Sequence, residues 1–215
     1  MQKIAQLSIR HWWQGVVNLV FPPTCVHCGR VGSFFCDICW EEAFTPADLT
    51  RLPPIVELDG LVALAVHNGA VRDALHALKY EGVREVAQPL AEQLAPCIQW
   101  TFDAIIPIPL HFARLAERGY NQANLLVEAL AQDMNRPVLA EHLIRTKATT
   151  SQVTLGADAR RANMIGAFAV SGTLPSCVLL IDDVCTTGST LEAAALALKE
   201  AGVQTVYAAT VSLAQ

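Results

Sequence analysis

The sequence predicts an α/β fold, a parallel sheet with helices on both faces, preceded by a small four-cysteine module. Three observations carry that expectation. From about residue 61 onward, apolar runs of strand length alternate with helical stretches of ten to fifteen residues. One run, VLLI at 178–181, meets two adjacent aspartates and then a Thr/Gly/Ser loop that opens a helix. Upstream stand two C-x2-C pairs, in a chain of 215 residues that is 53% hydrophobic and 16% charged, too apolar and too weakly charged to stay disordered.

Residues 1–20 place Ile4, Leu7, Trp12, Val16 and Leu19 at a loose helical period, suited to packing on the rest of the chain or on a partner. The polar face carries too few Lys and Arg for a strong membrane-surface helix. The longest apolar runs fall short of the ~20 residues that cross a bilayer. No small-residue cleavage pattern follows Lys3 and Arg10, so the expected compartment is the cytoplasm. Phe21-Pro22-Pro23 ends this helix and opens the knuckles Cys25-Val-His-Cys28 and Cys36-Asp-Ile-Cys39. The seven residues between them, GRVGSFF, hold two glycines and can turn back tightly. Four thiolates so spaced suit a closed tetrahedral Zn2+ site. A redox dithiol pair or two disulfides compete with that reading, and His27 inside the first knuckle is a substitute ligand. Cys97 and Cys177 read as buried core thiols, Cys185 either as filler or as an exposed, oxidisable group. Pro53-Pro54 marks a linker, giving three parts: a helix at 1–20, a zinc module and linker at 21–54, and a main domain at 55–215.

In the main domain, Leu61–His67 alternates as a strand, and 69–82 and 84–98 read as two short helices. A strand follows at 103–107, a helix at 121–134, strands at 167–170, 178–181 and 205–213, and an Ala/Leu-rich helix from 191 that closes at Gly202. In such sheets ligands sit at the carboxyl ends of the strands, where Asp182 and Asp183 fall. Neighbouring strand residues point to opposite faces, so the two acids cannot both be core nor both be surface decoration. Thr186, Thr187, Gly188, Ser189 and Thr190 then form a helix start whose unpaired N–H groups and dipole favour an anion, a phosphate cradle. The plain alternative is a Ser or Thr N-cap.

VLLIDDVCTTGSTL resembles the signature of type I phosphoribosyltransferases, which bind 5-phosphoribosyl-1-pyrophosphate (PRPP). Three further stretches narrow the likeness: Leu78-Lys79-Tyr80-Glu81-Gly82, Arg118-Gly119-Tyr120-Asn121-Gln122, and Gln152-x-x-Leu155 followed by Arg160 and Asn163. From Cys25 to the C-terminus the chain resembles the ComF family, which joins a four-cysteine zinc module to a phosphoribosyltransferase-like domain. The resemblance implies the type I phosphoribosyltransferase fold. It sets Asp182 and Asp183, the catalytic pair, beside the ribose hydroxyls of PRPP, directly or through Mg2+, and the loop from Cys185 to Thr190 around the 5-phosphate. Arg114 and Arg118 would face the diphosphate, and Lys79 is a PRPP-binding candidate by its place in L-K-Y-x-G, although each alone also reads as solvated surface. The stretch between Arg145 and Arg161 has little core character and corresponds to a hood loop that closes over substrate. His76 and His111 read as ordinary satisfied histidines.

Two functions follow from the resemblance. One is pentosyl transfer, with pyrophosphate leaving and an acceptor that the sequence does not name, in DNA uptake, competence or use of imported DNA. The other is a non-catalytic, PRPP-responsive adaptor that binds single-stranded DNA and a competence helicase. A structural interaction protein with a decayed pocket is a third reading, against which the intact acid pair and loop speak. The net charge of −5 opposes non-specific DNA binding. Residues 111–161 carry seven Arg and Lys against five Asp and Glu, or +2, and Tyr80 or Trp40 is the candidate stacking platform.

Overall fold

The computed structural model describes residues 22–43, 45–147 and 166–214. The expected helix at 1–20 and the lid positions Gln152, Leu155, Arg160, Arg161 and Asn163 lie outside them.

Four strands, β1 (Gly60–Val66), β2 (Ala104–Pro107), β5 (Cys177–Cys185) and β6 (Thr205–Leu213), form one sheet in the order β1-β6-β5-β2. Every neighbouring pair is parallel. Such a sheet is covered on both faces, and for that reason β2 and the start of β5 are continuous apolar runs rather than alternating ones. Alternate residues serve opposite layers. Leu179 and Ile181 pack with helices α2 (Gly69–His76), α3 (Ala87–Leu94) and α5 (Gln122–Met134). Val178 and Leu180 pack with helix α6 (Ser189–Glu200). The expected α/β architecture is therefore present.

Several local expectations differ. The strand expected to stop at Ile181 runs through both aspartates to Cys185, because β6 continues beside it and pairs Asp182 with Thr210 and Val184 with Ser212. The other neighbour does stop there: Pro107, the last residue of β2, lies opposite Ile181. The acid pair thus begins where one side of β5 loses its partner.

Residues 167–170, expected in the parallel sheet, instead supply β4 (Phe168–Val170), which pairs antiparallel with an unexpected strand, β3 (Leu143–Arg145). Each is three residues long, too short for an alternation to declare a partner. Helix α4 (Phe112–Arg118) also escaped the apolar pattern, since none of its residues is buried. Only its ends show in sequence, His111 accepting the Ala113 N–H and Gly119 closing the helix at φ +80°. Helix α1 (Asp37–Ala43) carries the fourth cysteine of the module.

The four-cysteine module packs on the α2 layer of the main domain. Cys25, Phe35, Cys36 and Cys39 belong to the same buried cluster as Leu75, Leu90 and Leu126 of α2, α3 and α5. The linker then crosses to the other layer, where Leu49, Leu52 and Leu58 pack beside α6. Among the described residues no helix is long and apolar enough to cross a membrane.

Candidate functional site

The alternation of β5 sends the two acids to opposite sides. Asp183 turns to the α2 side and is buried, its Oδ2 standing 3.0 Å from Lys79 Nζ with the two side chains 6% and 18% exposed. That contact is an ion pair without an aligned hydrogen bond. Lys79 reaches it from a widened π-turn at Ala77–Glu81, which closes at Gly82 with φ +74°. Asp182 turns toward Arg145 of β3 and accepts the N–H of Asp183 at 2.8 Å. Although partly accessible, its carboxyl is enclosed by protein. Burial first, and the Asp183 charge second, lift it from 3.8 to about 7, against the Asp183 N–H, Lys79 and Arg145.

A consequence follows for the protein in metal-free buffer. The folded state holds the Asp182 proton up to about pH 7, whereas the unfolded chain releases it near pH 4. Between these values the unfolded state binds fewer protons, so stability falls as pH rises from about 4 to about 7 and levels off above. Urea titrations across that range should lose this decline in Asp182→Asn; an identical pH profile in both proteins would refute it.

Beside Lys79 lies a cavity of about 610 Å³ lined by Lys79, Tyr80, Gly82, Arg114, Glu117, Arg118 and Tyr120. It joins two stretches that are far apart in sequence. The Tyr120 hydroxyl donates to the Leu78 carbonyl, the Arg118 guanidinium lies 5.4 Å from the Tyr80 ring, and that of Arg84 lies 4.2 Å from the Tyr120 ring. Arg118 also donates to Gln122 at the start of α5. Three cations against one carboxylate make this the positive end of the site. Tyr80 is 70% exposed, with Arg118 and the His76 ring beside it, whereas Trp40 is half-buried and packs edge-on to Phe35, so of the two expected stacking platforms Tyr80 is the exposed one.

At the other end, Gly188 adopts φ +76° and opens α6 without a side-chain cap on that residue. Thr187 Oγ1 lies 2.8 Å from Ser189 Oγ and accepts the Ser189 N–H only at 3.5 Å. Thr186 is exposed and Thr187 and Thr190 half-buried, so the loop offers hydroxyls and helix-start N–H groups outward. Cys185 is the buried filler of its two sequence readings: burial, then the Asp182 charge, lift its thiol to about 11. Cys97 and Cys177 are half-buried rather than core, their sulfurs directed at the Gln93 and Thr101 carbonyls.

In the module, the sulfurs of Cys25, Cys28, Cys36 and Cys39 all lie within 4.8 Å of one another. Those of Cys28 and Cys36 are 3.7 Å apart, close to the ~3.8 Å edge of a tetrahedron with Zn–S bonds of ~2.3 Å. The turn residues Gly29 and Gly32 have φ of +72° and +129°. Burial would raise the Cys25 thiol, but the N–H groups of Cys28, Cys36 and His27 outweigh it and bring it to about 6; burial and its sulfur neighbours push Cys39 up. Four converging sulfurs with N–H donors fit a thiolate metal centre. His27 is not part of it: its Nδ1 meets Asp73 Oδ2 of α2 at 2.8 Å, a tie from the module to the main domain.

The phosphoribosyl transferase domain profile matches residues 72–214, well over half of the chain. DNA utilization protein YhgH of Shigella flexneri is 31% identical over 93% of this chain and 90% of its own length. Competence protein F of Haemophilus influenzae is 40% identical over 108 residues, 48% of this chain and 47% of that protein. Competence protein ComFC of Streptococcus pneumoniae is 32% identical over 67% of this chain and 64% of its own. The chain belongs to the ComF family of phosphoribosyl transferase domains.

In this ComF chain Lys79, Asp182 and Asp183 come together, Arg114 and Arg118 line the adjoining cavity, and residues 186–190 form the turn after β5 and the start of α6. Two residues near the pair escaped sequence reasoning. His67, just past β1, places Nδ1 2.9 Å from Ser212 Oγ; burial, then the charge of Lys79, lowers its pKa. Arg145 of β3 lies 5.6 Å from the Phe168 ring and acts electrostatically on Asp182. The one available signal for His67 was its place at the carboxyl end of a strand.

Proposed function

We propose that this ComF protein binds PRPP with Mg2+ at the carboxyl end of β5 and uses it in DNA uptake, competence or the use of imported DNA. The observation that carries the reading is the enclosed acid pair, one member paired with Lys79, with a positive cavity beside Lys79 and a helix start opened by Gly188 just after β5. Asp182 and Asp183 accept from the ribose hydroxyls. The hydroxyls and N–H groups of 186–190 take the 5-phosphate. Lys79, Arg114 and Arg118 take the diphosphate, which leaves C1 when an acceptor attacks. The Asp182 carboxyl, lifted to about 7 by burial and then by the Asp183 charge, is a donor that a dication would relieve; in this reading it and Asp183, whose charge Lys79 offsets, are the residues beside the Mg2+. Bound there, Mg2+ would neutralise the leaving diphosphate. Residues 21–54 hold structural Zn2+ through Cys25, Cys28, Cys36 and Cys39. Seven cysteines, four of them zinc ligands in this reading and none in a disulfide, suit the cytoplasm. The relatives' names, competence protein and DNA utilization protein, support the biological role.

Calorimetry of the purified protein with PRPP, with and without Mg2+, tests the reading. Heat of binding only in the presence of Mg2+ is expected; no PRPP binding under either condition overturns it.

A second reading is favoured by the exposed ring of Tyr80 beside Arg118: an adaptor that carries single-stranded DNA to a helicase. Replacing Arg114 and Arg118 by alanine should then weaken single-strand binding and flatten its dependence on salt by about one to two phosphate contacts. An unchanged salt slope would remove these arginines from any DNA path.

A further inference from the structure

We propose that Ile55 is a positioning residue of the 5-phosphate loop, held over Gly188 by a strap formed of residues 45–59. The inference rests on the reading of 186–190 as the phosphate cradle. Gly188 is buried, and a Cβ there would meet Ile55 Cγ1 at 2.8 Å and Cδ1 closer still. The side chain of Ile55 therefore occupies the space that a residue at 188 would fill.

The strap has a built course. At its start the Thr45 carbonyl accepts the Val66 N–H, at the end of β1 beside the four-cysteine module. Asp48 caps the short turn Leu49–Arg51 through the Thr50 N–H at 3.1 Å. Leu49 and Leu52 enter the α6 layer. Pro53-Pro54 restrict the backbone ahead of Ile55. Beyond it, Leu58 N–H donates to the Ile55 carbonyl at 3.1 Å, closing a turn. Asp59 pins the far end: its N–H donates to Val206 O, its Oδ2 accepts the Val206 N–H at 2.8 Å, and Lys199 Nζ of α6 lies 3.3 Å from the same oxygen.

An anion cradle made from backbone N–H groups needs its turn held in one shape before the ligand arrives. Gly188 permits the left-handed turn but contributes no side chain to fix it, and glycine is the most mobile residue in that role. Ile55 supplies that contact from outside.

The test uses the full zinc-loaded chain and compares wild type, Ile55→Ala, and Ile55→Val, which removes only the Cδ1 contact. Amide hydrogen exchange of Glu192, whose N–H donates to the Gly188 carbonyl, should quicken about 10-fold in Ile55→Ala, and less in Ile55→Val. Affinity for ribose 5-phosphate should drop by about 10-fold, while affinity for inorganic pyrophosphate, which uses the other end of the site, stays unchanged. Unchanged exchange at Glu192 overturns the role of Ile55, as does an equal loss for both ligands, which would mark a general loosening of the fold. A wild-type protein that binds no PRPP overturns the phosphate-site reading instead, and the exchange data then still decide whether Ile55 orders the turn.

Discussion

Replacing Asp182 and Asp183 together by asparagine is expected to abolish most Mg2+-dependent affinity for PRPP, at least ~10-fold or about 1.4 kcal/mol, in a chain that remains folded. The substitution keeps volume and hydrogen-bonding capacity but removes both charges. Folding should survive because the two changes act in opposite senses. An amide at position 182 is spared the burial and like-charge repulsion that hold the Asp182 carboxyl near 7, which favours the fold at pH 8. An amide at position 183 leaves Lys79 without its ion pair, which disfavours the fold, although Lys79 retains some contact with water. The single variants should separate these: Asp182→Asn melts higher than wild type at pH 8 and Asp183→Asn melts lower. Calorimetry with and without Mg2+ reads the binding. Equal PRPP affinity in the wild type and the double variant would place the ligand elsewhere.

The architecture was legible because burial on both faces leaves a plain trace. Ile105, Ile106 and Val178–Ile181 are fully buried, and runs of that kind, separated by helical stretches, imply a parallel sheet. The acid pair was legible because two adjacent carboxylates after such a run have no structural use. What the sequence did not reveal depends on surroundings that local pattern does not encode. The extension of β5 to Cys185 comes from the length of its neighbour β6. Helix α4 has no buried face and hence no period, so Arg114 and Arg118 could be named but not placed on an element. His67 and Arg145 acquire their electrostatic roles only when β1 and β3 bring them to β5's end. Lys79 stood in a recognisable motif, yet its partner lies 104 positions away, from 79 to 183, and only the fold shows that it already neutralises one of the acids.

Cys36→Ser is expected to abolish the zinc binding proposed for the four-cysteine cluster and to lower the melting temperature of the whole chain rather than of the N-terminal module alone. From sequence, the Pro-rich linker suggested that the module would unfold while residues 55–215 kept their stability. The packing argues otherwise. Cys36 and Phe35 are buried in one cluster with Leu75, Leu90 and Leu126, and His27 is tied to Asp73 on α2. Structural zinc sites contribute on the order of 10 kcal/mol to small modules, far more than the contacts of this one could replace, so the module should unfold without its metal. The surface it covers on α2 and α3 then becomes exposed. Uncovering a Phe35-sized patch there costs about 3 kcal/mol, which for a chain of this size lowers the melting temperature by roughly 10 °C. The effect should be uneven: hydrogen exchange should quicken in α2 and α3, which lie under the module, more than in α6 on the opposite layer. Elemental analysis supplies the control, with near one zinc per wild-type chain and none in the variant. If the variant loses its zinc yet the main transition stays within a degree or two of wild type, the module is an independent unit and the shared cluster contributes nothing measurable to the stability of the phosphoribosyl transferase domain.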